Sequence, residues 1–175
     1  MHKPVNKKAL FLILSVFSGI IILLSAGIAG KVINLNRTSI LKSLTVLNLN
    51  DNTVNIPLNQ RDTTIIIVFN FECEFCNLEL NELISNYELF KNFRIFLLSV
   101  QPVDDLARAS EKYKLDQYPG IHLFRMSEET AEDPVFSVPT PSLFVYDPGG
   151  RLIVSRKGYA APLKMIRDLR HEKNK

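Results

Sequence analysis

Two cysteines lie where a buried strand gives way to a helix. The run from residue 63 to residue 71 is rich in β-branched and aromatic residues without polar alternation, which is typical of a central strand buried on both faces. After Cys73 the apolar residues recur at helical spacing through about Phe90. The segment Cys73-Glu74-Phe75-Cys76 is therefore predicted to join a strand to the start of a helix.

The remaining segments alternate between strand and helix patterns, which predicts an α/β fold. The predicted elements are, in order, a β-hairpin over 44–58, a strand over 93–100, a helix over 103–113, a short strand within 118–125, a short acidic helix over 127–133, a hairpin of strands 143–146 and 151–156, and a closing helix from Pro162 to about His171.

A Cys-x-x-Cys segment at a helix start has a specific chemistry. The first sulfur projects beyond the helix end, where unsatisfied N–H groups and the helix dipole stabilise a thiolate. The second sulfur lies one turn inside, within reach of a mixed disulfide formed on the first. This arrangement predicts Cys73 as the exposed nucleophile and Cys76 as the resolving thiol.

Other uses of the cysteine pair remain open at this point. A structural disulfide would close a very short loop and gain little loop entropy. Haem attachment requires His after the second cysteine, where this chain has Asn77. Metal capture would use both thiols, with His122 as a third ligand. With two cysteines and three histidines, the chain has too few ligands for a disulfide scaffold or for most four-ligand zinc sites.

The N-terminal part of the chain carries a membrane signal. Residues 9–30 are 22 consecutive positions without a charged side chain, about 33 Å of helix and enough to span a bilayer. We predict a cytoplasmic N-terminus over 1–8, a transmembrane signal anchor over 9–30, a polar linker over 31–43 and a folded domain over 44–175. A signal peptide cleaved near Gly27-Ile28-Ala29 and a buried soluble helix are the alternatives.

The net charge of +3 comes from the residues before this apolar run. Lys3, Lys7 and Lys8 account for all of it, and the rest of the chain is neutral with interspersed signs. The lysines hold the N-terminus in the cytoplasm by the positive-inside rule. The domain is therefore predicted to lie on the extracytoplasmic side of the inner membrane, anchored in the lipid bilayer or released by cleavage. The absence of a basic cluster argues against nucleic acid as a partner.

A second motif completes a pattern with the cysteines. The strand and helix around Phe69-Asn70-Phe71-Glu72-Cys73-Glu74-Phe75-Cys76 are followed by Thr140-Pro141-Ser142-Leu143-Phe144-Val145-Tyr146-Asp147 and a glycine-containing turn. This succession resembles the membrane-anchored thioredoxin-like thiol-disulfide oxidoreductases of the TlpA and ResA type, from about Leu44 to the C-terminal helix. The resemblance implies a thioredoxin-like fold, with a central mixed β-sheet flanked by helices and an N-terminal β-hairpin extension.

The resemblance also implies roles for three further residues. The family's cis-proline, which faces the disulfide, falls on Pro141 and not on the nearby Pro139, and it leaves the backbone of Thr140 free to pair with a substrate peptide. A carboxylate three residues after the second cysteine falls on Glu79. It could accept the proton of Cys76, provided burial raises its pKa toward neutrality. Taken alone, Pro141 also fits an ordinary trans loop proline, and Glu79 a solvated helix residue.

The neighbours of the cysteines depart from the family pattern. Many relatives have Trp before the first cysteine and Pro before the second, where this chain has Glu72 and Phe75. The redox potential therefore cannot be carried over. Glu72, Glu74 and Glu79 surround the cysteines with negative charge, and no Lys or Arg lies between residues 62 and 88. Since like charge opposes a thiolate, we expect a comparatively reducing pair.

The resemblance thus implies a dithiol-disulfide exchange protein, and the negative charge around the cysteines favours reduction of disulfides in envelope proteins, with apocytochrome c among the candidate substrates. A membrane electron donor of the CcdA or DsbD kind would recharge it, and no cofactor is required besides the two sulfurs. Two rival functions belong to related folds. Copper modules of the Sco type have two cysteines separated by three residues and a distant His. Thiol peroxidases have Thr two residues before the reactive cysteine, where this chain has Phe71.

Overall fold

The computed structural model describes residues 40–58 and 61–172. Within these residues one seven-stranded mixed sheet has the strand order β2-β1-β5-β4-β3-β6-β7. The strands are β1 (Ser43–Leu47), β2 (Thr53–Pro57), β3 (Thr64–Val68), β4 (Arg94–Ser99), β5 (Ile121–Met126), β6 (Ser142–Tyr146) and β7 (Leu152–Lys157). The helices are α1 (Glu74–Ser85), α2 (Val103–Tyr113), α3 (Glu128–Glu132) and α4 (Pro162–Glu172), and 3-10 turns lie at Tyr87–Leu89 and Leu115–Gln117.

The predicted central strand is confirmed in β3. All five of its residues are buried, and it pairs in parallel with β4 and antiparallel with β6. Strand β4 in turn pairs in parallel with β5. The parallel connections pass through α1 and α2, as parallel neighbours require. The predicted bounds of α2 agree with the structure at both ends.

The two faces of the sheet bury two separate cores. Ile65 and Ile67 of β3 point to the core that contains Cys76 together with residues of α1, α2 and α4. Ile66 and Val68 point to the opposite core, which includes residues of β1, β2 and α3. This division follows from the alternation of side chains along a strand. The cysteine pair therefore belongs to one face of the sheet.

The predicted N-terminal hairpin is confirmed and extends the sheet. Strands β1 and β2 pair antiparallel, and β1 joins the rest of the sheet through β5. The side chain of Asn48 fixes the turn, because its Oδ1 accepts hydrogen bonds from the backbone N–H groups of Asn50 and Asn52 at 2.9 and 3.0 Å. Asx side chains commonly stabilise turns in this way.

The chain before β1 already contacts the domain. Ile40 forms an isolated bridge with Arg151, and the N–H of Leu41 donates to the carbonyl of Gly150 at 2.8 Å. Gly150 has a φ of 77°, and a Cβ there would lie 2.4 Å from the carbonyl oxygen of Leu41. Both the backbone conformation and the close approach therefore require glycine in the turn before β7.

The prediction that the first helix runs to Phe90 is wrong. Helix α1 ends at Ser85, where the side chain of Asn86 donates to the carbonyl of Glu82 at 2.8 Å. A polar side chain that bonds to the last turn offers the backbone an alternative to further helix. The 3-10 turn that follows still buries Phe90 completely, which explains the helical spacing in the sequence.

The topology brings the predicted site residues to one end of the sheet. Cys73 follows the C-terminal end of β3, and Val68 near that end pairs with Ser142, the first residue of β6. The loop before β6, which contains Thr140 and Pro141, therefore faces the start of α1. None of the helices in 40–58 and 61–172 is long and apolar enough to cross a membrane. The anchor predicted over 9–30 lies outside the described residues.

Candidate active site

Cys73 caps the N-terminus of α1. Its backbone is extended, with φ −80° and ψ 121°, and its sulfur accepts a hydrogen bond from the N–H of Cys76 at 3.4 Å. Its carbonyl accepts from the N–H of Asn77 at 3.0 Å. The sulfur thus lies among the N–H groups that a helix leaves unpaired at its start, where negative charge is stabilised. Cys73 is half-buried, so its sulfur is accessible to a partner.

Cys76 lies inside the helix and beneath the surface. It is 2% exposed and packs in the core that contains α1. Burial raises the pKa of its thiol to about 12, and the N–H of Asn70, 3.4 Å from the sulfur, opposes this shift only in part. No disulfide joins the two cysteines in the structure. A thiol with this pKa stays protonated at neutral pH and needs a base before it can attack.

The loop before β6 places a backbone oxygen over Cys73. The Thr140–Pro141 peptide bond is cis, the configuration that the resemblance implies, so an ordinary trans proline is excluded at Pro141. The carbonyl oxygen of Thr140 lies 3.9 Å from the sulfur of Cys73. Pro139 has a different place, since its carbonyl accepts from the hydroxyl of Ser142 at 2.6 Å. Pro141 is buried, whereas Thr140 is exposed.

Glu79 is a buried carboxyl group on the same helix as Cys76. It lies three residues further along α1, where side chains are neighbours on the helix surface. It is only 1% exposed, so the reading of Glu79 as a solvated helix residue is wrong. Its Oε2 accepts from the N–H of Ala160 at 3.3 Å, while its Oε1 is buried without a hydrogen-bond partner in the described part of the chain.

The environment of Glu79 changes its protonation. Burial raises the pKa of its carboxyl group from 4.5 to about 7; the N–H of Ala160 opposes this rise and the charge of Glu82 adds to it. The condition set from the sequence, a pKa near neutrality, is therefore met. A carboxyl group of this kind exchanges its proton near pH 7, as a general base for a neighbouring thiol must.

Side chains from other elements hold the segment before Cys73. The N–H of Phe71 donates to the side chain of Gln101 at 2.6 Å, and the side chain of Asn77 donates to the carbonyl of Phe71 at 3.1 Å. The hydroxyl of Tyr113 in turn donates to Asn77 at 2.5 Å. This network is not predicted by the sequence patterns above. Only the position of Gln101, just after a strand parallel to β3, could have indicated it.

The charges near the cysteines differ from those counted along the sequence. Glu72 and Glu74 are exposed, but Glu79 is buried and carries only part of a negative charge near pH 7, because its pKa is about 7. The ammonium group of Lys112 lies 5.0 Å from the centre of the Phe71 ring, two residues before Cys73. The site is therefore less negative than its local sequence indicates.

A groove opens at the same end of the sheet as the two cysteines. It encloses about 350 Å³ and is lined by residues 68–70, Val100 and residues 136–140, together with Met126 and Ala131. Asn70 and Thr140, which contact Cys76 and Cys73 respectively, form part of its wall. A larger cleft of about 590 Å³ lies at the opposite end of the sheet, where Thr63 precedes β3 and Asp147 follows β6. Of these two cavities, the smaller one is lined by residues that contact the thiols.

The structure does not bring His122 to the cysteines. His122 is the second residue of β5, pairs with Phe96 across the sheet, and stacks on Phe124 with ring centres 6.4 Å apart. The cysteines follow the far end of the parallel strand β3. Within 40–58 and 61–172 no cluster of three or more His, Cys, Asp or Glu side chains could hold a metal ion.

Comparisons with known proteins give the same fold. No family model matches the chain, and no curated protein sequence matches it. The thioredoxin domain of a thiol-disulfide oxidoreductase from Bacteroides vulgatus superposes with a TM-score of 0.60 at 19% identity, over 76% of this chain and 96% of that one. A thiol peroxidase from Chromobacterium violaceum gives 0.63 at 15% identity, over 79% and 87%. Copper-bound ScoI from Arabidopsis thaliana gives 0.56 at 11% identity, over 76% and 99%.

These similarities define the class of fold. The predicted thioredoxin-like fold is confirmed: a central mixed sheet flanked by helices, shared with thiol-disulfide oxidoreductases. A thiol-disulfide oxidoreductase, a thiol peroxidase and a copper-bound protein share it, so the fold alone does not select among these functions. That selection depends on the arrangement of Cys73, Cys76, Glu79 and Thr140 in this chain.

The raised pKa of Glu79 predicts a specific pH dependence of stability. Below pH 4.5 the carboxyl group is protonated in both folded and unfolded chains. Between pH 4.5 and 7 the unfolded chain loses this proton while the folded chain keeps it, so the free energy of unfolding falls as pH rises. The loss is complete above pH 7 and amounts to about 3 kcal/mol.

The Glu79→Gln variant lacks this titration. Urea denaturation of both proteins between pH 4.5 and 8 should show the wild type losing about 3 kcal/mol relative to the variant. The difference between the two curves cancels other titrating groups, His122 included. Parallel curves would contradict the raised pKa of Glu79.

Proposed function

We propose that this protein is a thiol-disulfide oxidoreductase that acts on protein substrates. The observation that carries the proposal is the asymmetry of its cysteine pair. Cys73 is accessible at a helix N-terminus, whereas Cys76 is buried with a pKa of about 12. Three residues further along the same helix lies a buried carboxyl group whose pKa is about 7. A structural disulfide needs neither an accessible first sulfur nor a base near the second.

The exchange reaction uses these groups in order. The thiolate of Cys73 attacks a substrate disulfide, which forms a mixed disulfide and releases one substrate sulfur as a thiolate that takes a proton from water. Cys76 then gives its proton to the carboxylate of Glu79 and attacks the sulfur of Cys73. The second substrate sulfur leaves, the substrate gains two electrons, and a Cys73–Cys76 disulfide remains. Glu79 returns its proton to solvent.

Thr140 supports binding of an extended substrate segment. Its carbonyl lies 3.9 Å from the sulfur of Cys73, so a peptide pairing with this backbone would carry its own sulfur to Cys73. The adjoining groove of about 350 Å³ has space for the neighbouring side chains of such a peptide. Its wall includes Phe69, Val100 and Phe136, which favours apolar side chains.

The two rival functions have less support from the site. A copper module requires a third ligand, and His122 lies at the opposite end of its strand from the cysteines. A peroxidase of the usual kind has Thr two residues before its reactive cysteine; here Phe71 stands in that place, with its backbone held by Gln101 and Asn77. Tight stoichiometric copper binding that is lost in His122→Ala would favour the copper module. Rapid oxidation of the cysteines by peroxide would favour the peroxidase.

We also propose the reductive direction. The exposed Glu72 and Glu74 place negative charge near the cysteine pair, and Lys112 near Phe71 offsets part of it. Net negative charge around a dithiol favours a reducing pair. Equilibration with glutathione buffers should therefore give a reduction potential clearly below the −120 mV or so of the strong oxidant DsbA. A potential at or above that value would contradict a reductase.

The proposed function also requires a location for the domain and a source of electrons. We infer an uncleaved anchor over 9–30 in the inner membrane, with the thioredoxin-like domain on the extracytoplasmic side. A membrane donor of the CcdA or DsbD kind would then return electrons to the Cys73–Cys76 disulfide. An anchor supports this role, because it holds the domain at high effective concentration beside its donor. Protease added to intact spheroplasts should digest the domain, and full protection would contradict this location.

Trapping of mixed disulfides tests the proposed oxidoreductase activity directly. In Cys76→Ser the mixed disulfide on Cys73 cannot be resolved, so covalent adducts with envelope proteins should accumulate in cells. Non-reducing gels and mass spectrometry should detect these adducts, and reductant should release them. The matched control, Cys73→Ser, keeps Cys76 but lacks the accessible sulfur, and should give none. Equal adducts from both variants, or none from either, would contradict the proposed division of roles.

A further inference from the structure

Two glutamates on α1 hold one short segment after β7. The Oε2 of Glu79 accepts from the N–H of Ala160 at 3.3 Å. One turn further, the Oε2 of Glu82 accepts from the hydroxyl of Tyr159 at 2.6 Å, and its Oε1 accepts from the N–H of Leu163 at 3.2 Å. All three donors lie within residues 159–163, and both acceptors lie on one side of α1.

Glu82 fixes this segment on both sides of Ala160. Leu163 is the second residue of α4, and its N–H is among those that helix geometry leaves without a partner. Tyr159 is otherwise exposed, so its hydroxyl bond to Glu82 is what ties its ring to α1. With positions 159 and 163 both bonded to one carboxylate, the N–H of Ala160 between them is held against α1.

Glu79 depends on that N–H. Among the described residues, Ala160 supplies the one hydrogen bond that the Glu79 carboxylate receives, since Oε1 has no partner. The ionisable groups that flank it are Glu82 and, by helical spacing, Cys76 on α1, together with Tyr159 on the bonded segment. Arg156 on β7 and Lys164 on α4 are exposed, and neither forms an ion pair or hydrogen bond with Glu79.

We propose that Glu82 is a positioning residue for Glu79: by holding Tyr159 and Leu163 it fixes the Ala160 N–H on the Glu79 carboxylate, and so sets the pH at which Glu79 accepts the proton of Cys76. This inference rests on the proposed exchange function. The Tyr159–Glu82 contact is at the surface, so the proton affinity of a buried base is adjusted by an exposed hydrogen bond.

The geometry gives Glu82 two separable effects on Glu79. The hydrogen bonds of Glu82 keep the Ala160 N–H in place, and a donor to a carboxylate favours its ionised form. The negative charge of Glu82, one turn away, opposes a second negative charge on Glu79. Tyr159→Phe weakens the first effect and leaves the charge. Glu82→Gln removes the charge and keeps one acceptor oxygen for the segment.

The test measures the titration of Glu79 itself. In the reduced full chain, labelled with ¹³C-glutamate and kept in detergent micelles, the Glu79 carboxyl signal is assigned by its loss in Glu79→Gln. Tyr159→Phe should raise the titration midpoint by about half a pH unit or more, and Glu82→Gln should lower it by a similar amount. The pH midpoint for release of mixed disulfides should shift in the same directions.

Matched controls separate positioning from general effects. Tyr113→Phe removes a tyrosine hydrogen bond on another flank of α1, to Asn77, and should leave the Glu79 midpoint unchanged. Glu88→Gln removes one exposed negative charge that pairs with Lys91, and should also leave it unchanged. Equal shifts in the controls would overturn the proposal, because the effect would not be specific to the 159–163 segment.

The decisive outcome is that of Tyr159→Phe, whose exposed site leaves folding intact. A midpoint that stays within about 0.2 unit of wild type would overturn positioning, even if Glu82→Gln lowers the midpoint through its charge. The titration needs no substrate. Shifted midpoints without trapped adducts would therefore contradict the proposed function but not the coupling, and unshifted midpoints with trapped adducts would contradict only the coupling.

Discussion

The packing of α1 against the sheet determines the environment of each group in the candidate active site. A helix that buries Cys76, Leu80 and Leu83 on the sheet necessarily leaves its N-cap, Cys73, at the rim. The same packing, together with the segment after β7, removes Glu79 from water. One helix thus presents one sulfur to a partner and buries both the second sulfur and, three residues further on, a carboxyl group.

The buried carboxyl group of Glu79 lowers the stability of the fold. Burying a carboxyl group that has one unpaired oxygen lowers stability above pH 7 by about 3 kcal/mol, whereas an apolar side chain would add stability. Residues that lower the stability of the folded state in this way concentrate at functional sites. The raised pKa values of Cys76 and Glu79 suit one proton transfer, because the thiol needs a base and the carboxyl group exchanges its proton near pH 7.

Local patterns in the sequence were sufficient for much of this account. The unbroken apolar run predicted β3, the helical spacing predicted α1, and the cysteine spacing predicted which sulfur is outside. The burial of Glu79 could not be read locally, because it depends on Ala160, 81 residues away. Lys112 reaches Phe71 only through the tertiary fold, so a count of charges along the sequence missed it. The end of α1 was misplaced because Asn86 bonds to the helix's last turn.

The most direct test of the central claim is the relative reactivity of the two thiols. The reduced full chain is treated with iodoacetamide at pH 7, and samples taken over time are mapped by mass spectrometry. We expect Cys73 to be fully alkylated while Cys76, which is buried and protonated, remains unmodified. In denaturant both cysteines should react. Alkylation of Cys76 in the folded chain as fast as Cys73 would contradict the assignment of one accessible nucleophile and one buried resolving thiol.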